Sequence, residues 1–313
     1  MEQINVLVYG AGAVGIFFGG RLHQAGFNIT FVDTPDRTEA LADSRLFIDS
    51  NYDQNYDFEP VIVSDPSTLP PQDLILICVK AFKTYEIALT LIPVVKPSTI
   101  TLSLQNGLEN EKVLCDMIGK NLVLGAVPHF SGNLDEPNRV TQHAPAQIVF
   151  GELDHQPSKR VEWLSKIFAH ADIDHKISNN ITEYIWKKFI WNNAFNTISA
   201  LTGSTIRQIY EADAVMPTIQ LMMGEVQQVA RAEGVEVSQR NLEELCSINP
   251  NYEHVKTSML RDIENHRMPE LEPLVGVLLQ KAKKHGISTP VNETIYNLLQ
   301  LKLSNAQITL EDS

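Results

Sequence analysis

A glycine pattern in a fixed context decides more about this fold than anything else in its 313 residues. GAGAVG, with Gly10, Gly12 and Gly15, directly follows the apolar run INVLVY and opens a stretch through Phe17, Phe18 and Leu22 to Gly26 that reads as a helix. In such a strand–turn–helix unit the first glycine makes the tight turn and the second admits backbone N–H groups to a pyrophosphate. The third lets helix pack on strand. Asp33 ends the next β-rich run 18 residues after Gly15, where an acid that holds a ribose hydroxyl belongs. GxGxxG alone is a weak signal and also suits a purely structural turn. With strand, helix and acid in place it predicts a dinucleotide site of Gly10, Gly12, Ala13, Val14, Gly15 and Asp33. An Asp carboxylate accepts from the 2′-OH of NAD and repels the 2′-phosphate of NADP. NAD is therefore the expected cofactor, with NADP left open through Arg37 or Lys80.

Around that unit, β-rich runs at 4–9, 28–33, 74–79, 99–104 and 122–127 alternate with helical stretches, the signature of a parallel sheet flanked by helices. INVLVY and LILICV are apolar without strict alternation, as strands covered on both faces require. Beyond residue 177 the pattern becomes helical throughout, with segments at 181–201, 215–233, 241–245, 254–265, 271–285 and 291–301. Gly234 and Gly286 stand where helices stop, and Pro290 where one starts. We expect an α/β dinucleotide-binding domain over residues 1–175 and an all-helical domain over 176–313, the boundary falling between 168 and 180.

Two further strand ends carry polar residues. LILICV runs into Lys80 and TLSLQ into Asn106-Gly107, so Gly10, Asp33, Lys80 and Asn106 are expected along one carboxyl edge, where open α/β sheets bind ligands. A solvated lysine and an ordinary Asn-Gly turn are the plainer readings. In the helix ITEYIWKKFIWNNAFNTISAL, Lys188, Asn192 and Asn196 recur at i, i+4 and i+8 and share one stripe of a regular helix. Asparagines inside an aromatic-rich helix need partners. A lysine beside them can act as a general acid while the amides bind a carboxylate or hydroxyl. The competing reading is an exposed face with Lys187 and Lys188 extended to water and Asn192 and Asn193 at the surface.

GAGAVG, VKAFKT, LQNG, WKKFIWNNAFN and SMLRDI with a Glu about twelve residues on together resemble the ketopantoate reductase family, over nearly the whole chain. The resemblance implies a Rossmann domain followed by a helical domain like the C-terminal domain of 6-phosphogluconate dehydrogenase. It also implies reduction of 2-oxo acids to D-2-hydroxy acids with a nicotinamide cofactor. It makes Lys188 the catalytic general acid and Glu270 an orienting carboxylate. Asn192, Asn196 and Ser258 become substrate contacts, and Lys80 and Asn106 cofactor residues. From the residues alone, Glu270 is equally a helix-start acid and Ser258 a helical serine bonded to its own turn.

The chain departs from the family pattern at Asp33-Thr34, where NADPH-dependent members carry a basic residue. It departs again at Glu272, and at Val275 and Val255, where polar contacts are common. Apolar replacements reward an apolar substrate group. The expected activity is therefore that of an NAD-dependent D-2-hydroxyacid dehydrogenase, similar to D-mandelate dehydrogenases and acting on a branched or bulky 2-oxo acid. 2-Dehydropantoate 2-reductase, in pantothenate synthesis, is the nearest alternative, and a non-catalytic dinucleotide sensor an alternative of another class.

Lys and Arg number 25 against 38 Asp and Glu, a net charge of −13, which argues against nucleic-acid and anionic-membrane partners. No stretch approaches the roughly 20 apolar residues of a membrane span. Cys78, Cys115 and Cys246 form no metal or redox motif, so free, mostly buried thiols, no metal and a cytoplasmic location are expected. An anionic 2-oxo or 2-hydroxy acid entering so acidic a protein calls for a cleft made locally positive by Lys80 and Lys188. The aromatic content of the second half suffices for a homodimer interface and equally for a core.

Overall fold

The computed structural model describes residues 4–247 and 255–308. Its strands are β1 (Asn5–Tyr9), β2 (Asn28–Val32), β3 (Leu46–Ser50), β4 (Tyr56–Phe58), β5 (Val61–Val63), β6 (Leu74–Ile77), β7 (Ile100–Ser103), β8 (Val123–His129), β9 (Gly132–Glu136), β10 (Arg139–Gln142), β11 (Gln147–Gly151) and β12 (His175–Ile177). Eight of them make one sheet in the order β12-β11-β8-β7-β6-β1-β2-β5. The run from β5 to β8 is parallel, with the strand order of a Rossmann fold. β11 returns antiparallel to β8.

The first helices are α1 (Ala13–Gln24), α2 (Pro35–Leu41), α3 (Thr84–Leu91), α4 (Asn110–Ile118) and α5 (Lys159–His170). Side chains of successive β1 residues leave on opposite faces. Val6 and Val8 join a core with Ile16, Phe18, Leu164 and Phe168, whereas Leu7 joins Ile75, Ile87, Leu91 and Leu114 on the other side. Burial on both faces is why these strands are apolar throughout.

The sequence did not announce a second sheet, β4-β3-β10-β9, in which β3 lies parallel to β10. It packs on α1, with Phe17, Phe18, Ile48, Phe58 and Val140 filling the space between.

The remaining helices are α6 (Ile181–Trp191), α7 (Thr197–Thr202), α8 (Ile206–Tyr210), α9 (Met216–Ala232), α10 (Gln239–Leu245), α11 (Ser258–Glu264), α12 (Val277–His285) and α13 (Pro290–Asn305). Their core gathers Phe189, Phe195, Met222, Val226, Leu274, Val275 and Leu299. Gly234 and Gly286 have left-handed φ of 84° and 66° at the ends of α9 and α12. The expected helix start at His254 lies outside the described residues.

The expected single helix over 181–201 is interrupted. Asn192–Asn196 forms a π-turn between α6 and α7, and a second π-turn, Glu272–Gly276, precedes α12. By contact the chain divides into two compact units, one of the residues up to Gln105 with Glu109–Ile181, the other of Asn106–Leu108 with the residues from Thr182 on. No described helix is long and apolar enough to cross a membrane. The three cysteines are free and half-buried.

Candidate functional site

In the first unit the three glycines of GAGAVG meet three different constraints. Gly10 has φ +105°, and a Cβ on it would lie 2.9 Å from the Cys78 carbonyl carbon and the Val79 nitrogen. A Cβ on Gly15 would lie 1.9 Å from the Gly10 carbonyl oxygen. The fold itself demands both. Gly12 is different: φ −90° and ψ −172° suit any residue, and a Cβ there would meet nothing within 4 Å. Nothing in the protein requires Gly12 to lack a side chain. Gly12 is also the N-cap of α1, with no side-chain cap and no acid in the first turn. That leaves the N–H groups at Ala13 and Val14 and the positive end of the helix dipole for an anion. The open space at Gly12 and the uncapped helix fit a dinucleotide pyrophosphate.

Asp33 follows β2, and its carboxylate ties into the same loop. Oδ2 accepts from the Ala11 N–H at 2.6 Å and Oδ1 from the Thr34 N–H at 2.7 Å. Arg37 Nη2 donates to the Ala11 carbonyl at 2.7 Å and to that of Pro137. Burial lowers the Arg37 guanidinium from its ordinary value, and the charge of Asp33 opposes that shift.

Lys80 stands three residues beyond β6, half-buried, at the start of a 3₁₀ turn, Ala81–Lys83. A buried network fixes the adjoining loops. Gln105 Nε2 donates to the Thr84 hydroxyl at 2.9 Å, and that oxygen lies 2.8 Å from the Ala81 carbonyl and 2.9 Å from Asn110 Oδ1. Sequence reasoning passed over Gln105 and Thr84. An amide directly after Leu104, at the end of a strand expected inside the sheet, was the available signal, because it must find a buried partner.

In the second unit the structure joins Asn192, Asn106 and Glu270. Asn192 Nδ2 donates to Asn106 Oδ1 at 3.2 Å, and Asn106 Nδ2 donates to Glu270 Oε2 at 3.1 Å. Glu270 is 5% exposed, so its carboxylate is a buried acceptor beyond any role at the helix start. Asn192, Asn193 and Asn196 are 6%, 0% and 4% exposed. Those values overturn the surface-face reading of this helix. The stripe expected of a regular helix is altered as well. A π-turn holds more residues per turn than an α-helix, so Asn192 and Asn196 no longer stand at the angle of a regular i, i+4 pair.

Lys188, half-buried, lies one turn before Asn192, while its neighbour Lys187 is engaged by Glu183 at 2.6 Å. Ser258 is exposed at the first position of α11, ahead of any turn it could bond back to, and α11 packs against the π-turn of Asn192. Val275, expected to line a pocket, is instead fully buried in the helical core; Val255 is half-buried. Glu272 accepts from the Tyr296 hydroxyl.

Two family models match the chain: Ketopantoate reductase PanE/ApbA over residues 6–155 and Ketopantoate reductase PanE/ApbA C terminal over 180–303. The uncharacterized oxidoreductase YkpB of Bacillus subtilis is 32% identical over 301 residues, covering 95% of this chain and 98% of that protein. The 2-dehydropantoate 2-reductase of Pyrococcus abyssi is 26% identical, covering 96% of this chain and 98% of that protein. A crystal structure of a PanE/ApbA family ketopantoate reductase from Ralstonia eutropha JMP134 superimposes with TM-score 0.88 at 28% identity, over 97% of this chain and 100% of that one. D-mandelate dehydrogenase, solved with NADH and anilino(oxo)acetate, shares the fold with TM-score 0.90 at 21% identity, over 98% and 100% of the two chains. The chain thus belongs to the ketopantoate reductase PanE/ApbA family and is an oxidoreductase of the CH–OH group that works with a nicotinamide dinucleotide.

Proposed function

We propose that the protein reduces a branched or bulky 2-oxo acid to its D-2-hydroxy acid, with NADH as the preferred donor and Lys188 as the general acid. The observation that carries this reading is the buried chain Asn192–Asn106–Glu270 one helical turn from Lys188. Gly10, Gly12, Ala13, Val14, Gly15 and Asp33 hold the dinucleotide, with Lys80 serving its phosphates. A bound nicotinamide supplies the hydride that adds to the substrate's carbonyl carbon.

As that carbon is reduced, the C=O electron pair moves to oxygen. The Lys188 ammonium stabilises the growing negative charge and gives that oxygen a proton, leaving a neutral amine that regains its proton from water. Asn192 and Asn196 donate to the substrate carboxylate, and Ser258 to an oxygen at the other end. Glu270 orients Asn106 and, through it, the Asn192 amide.

Asp33 supports the NAD preference, because its charge opposes a 2′-phosphate. A half-buried Val255, three residues before Ser258, supports an apolar substrate group. The identity to the Pyrococcus abyssi enzyme favours a second reading, 2-dehydropantoate reduction. Steady-state assays of ketopantoate, benzoylformate and 2-oxoisovalerate, each with NADH and NADPH, separate the two. A strong preference for ketopantoate with NADPH defeats the first. Binding of NADH without turnover of any 2-oxo acid returns the protein to a sensor. Lys188→Ala is expected to lower kcat by roughly 10² or more with NADH binding little changed, and near-normal turnover removes Lys188 from its role.

A further inference from the structure

Asn193 follows Asn192 in the first π-turn and is completely buried. Its Nδ2 donates to the Leu274 carbonyl at 3.1 Å, in the middle of the second π-turn. Its own backbone carbonyl accepts from the Thr197 hydroxyl at 2.6 Å. Its Oδ1 is buried without a hydrogen-bond partner. An amide oxygen left so costs free energy that a leucine of similar shape would not. Packing therefore does not explain an asparagine here, whereas the bond from its N–H does.

A π-turn takes backbone carbonyls off the regular i→i+4 ladder, and such turns cluster at functional sites. Here the two turns pack against each other, and Asn193 spans them. One carries Asn192 and Asn196 and continues the helix of Lys188; the other begins two residues after Glu270. We infer that Asn193 is a positioning residue that locks these two segments in one phase. Lys188 Nζ and the Asn192–Asn106–Glu270 chain then keep a single alignment during proton transfer. This rests on the reading of Lys188 as the acid.

Asn193→Leu keeps the shape and removes the N–H. With NADH and the best 2-oxo acid of the panel, kcat is expected to fall at least about tenfold, since displacements near 1 Å cost that much and more. The solvent deuterium isotope effect on kcat should rise as proton delivery becomes limiting, while NADH binding and Tm stay little changed. Asn193→Asp can donate to Leu274 only when protonated, so its kcat relative to the parent protein should climb as pH falls.

Unchanged kcat and isotope effect in folded Asn193→Leu overturn the inference. So does a loss of activity that only tracks the loss of folded protein. If Asn193→Leu does not fold, Asn193→Asp decides: a kcat that stays at the parental value across pH, or a loss that does not recover as pH falls, overturns the inference. Lys188→Ala run alongside separates the two levels. Full turnover there removes the acid and the positioning role together. Lost turnover there, with parental kinetics in Asn193→Leu, removes the positioning role alone.

Discussion

Gly12→Ala is the sharpest perturbation of the nucleotide loop because the protein has no use for that glycine's bareness. The added Cβ meets nothing within 4 Å, and φ −90° with ψ −172° is ordinary for alanine. Alanine is a poorer N-cap than glycine, but it loses less backbone entropy on folding. The two effects oppose each other and leave stability within about 1 kcal/mol. The methyl does occupy the approach to the N–H groups that begin α1. Losing two hydrogen bonds to a phosphate, at about 1.5–3 kcal/mol each, amounts to about 3–6 kcal/mol, a rise in Kd of roughly 10²–10⁴.

Gly15→Ala is the counterpart. Its Cβ would stand 1.9 Å from the Gly10 carbonyl oxygen, so backbone must move, and stability should fall by about 1–3 kcal/mol or more. NADH titration by fluorescence and urea unfolding on both variants decide the matter. The expected pattern is a stable Gly12→Ala that no longer binds and a Gly15→Ala that unfolds early. A stable Gly12→Ala with parental NADH affinity refutes the assignment of that space to the pyrophosphate.

Asp33→Asn removes the charge that opposes a 2′-phosphate and leaves one acceptor oxygen for two N–H donors, Ala11 and Thr34. The preference for NADH over NADPH, as a ratio of kcat/KM, should fall by at least about tenfold, and an unchanged ratio takes Asp33 out of cofactor choice. In the helical unit, burial alone would raise the Glu233 carboxyl, but hydrogen bonds from Lys281 and His285, with Lys284 nearby, bring it down to about 2. A folded value below the unfolded one stabilises the protein above the ordinary carboxylate range, and that contribution disappears as pH falls towards 2. Glu233→Gln should accordingly be less stable than the parent at pH 7 in urea unfolding, with the gap closing by about pH 2. A gap that persists there places the effect outside this ion cluster.

Five of the six parallel strands could be read from sequence because they are apolar runs, with GAGAVG, Asp33 and Lys80 at the ends of three; β5, only VIV and partly exposed, could not. Nor could the second sheet. YDF, GNLDE and RVTQ are short, half-exposed and partly polar, and β3 finds its partner β10 92 residues along the chain. Local pattern carries no information about such pairing. In the helical half, Lys188, Asn192 and Asn196 were legible as a set, since polar residues among Ile, Trp and Phe need a reason. The π-turn was not, because an i→i+5 step changes backbone bonding without demanding a residue type. Val275 shows the limit of carrying a position over from a pattern. Aligned with polar contacts elsewhere, it sits here in the core.

The placement of Asn106–Leu108 with the second unit has a consequence for how the protein is made. Asn106 is translated within the first unit, whereas its partner Glu270 lies 164 residues downstream. At about 5–20 residues per second it emerges from the ribosome roughly 8–33 s ahead of that partner. A gene cut after Ile181 would thus yield a helical fragment lacking the asparagine that bridges its own Asn192 and Glu270. Supplying the missing tripeptide requires the other fragment, so activity restored by mixing the halves would report the return of three residues as much as the return of a nucleotide-binding fold.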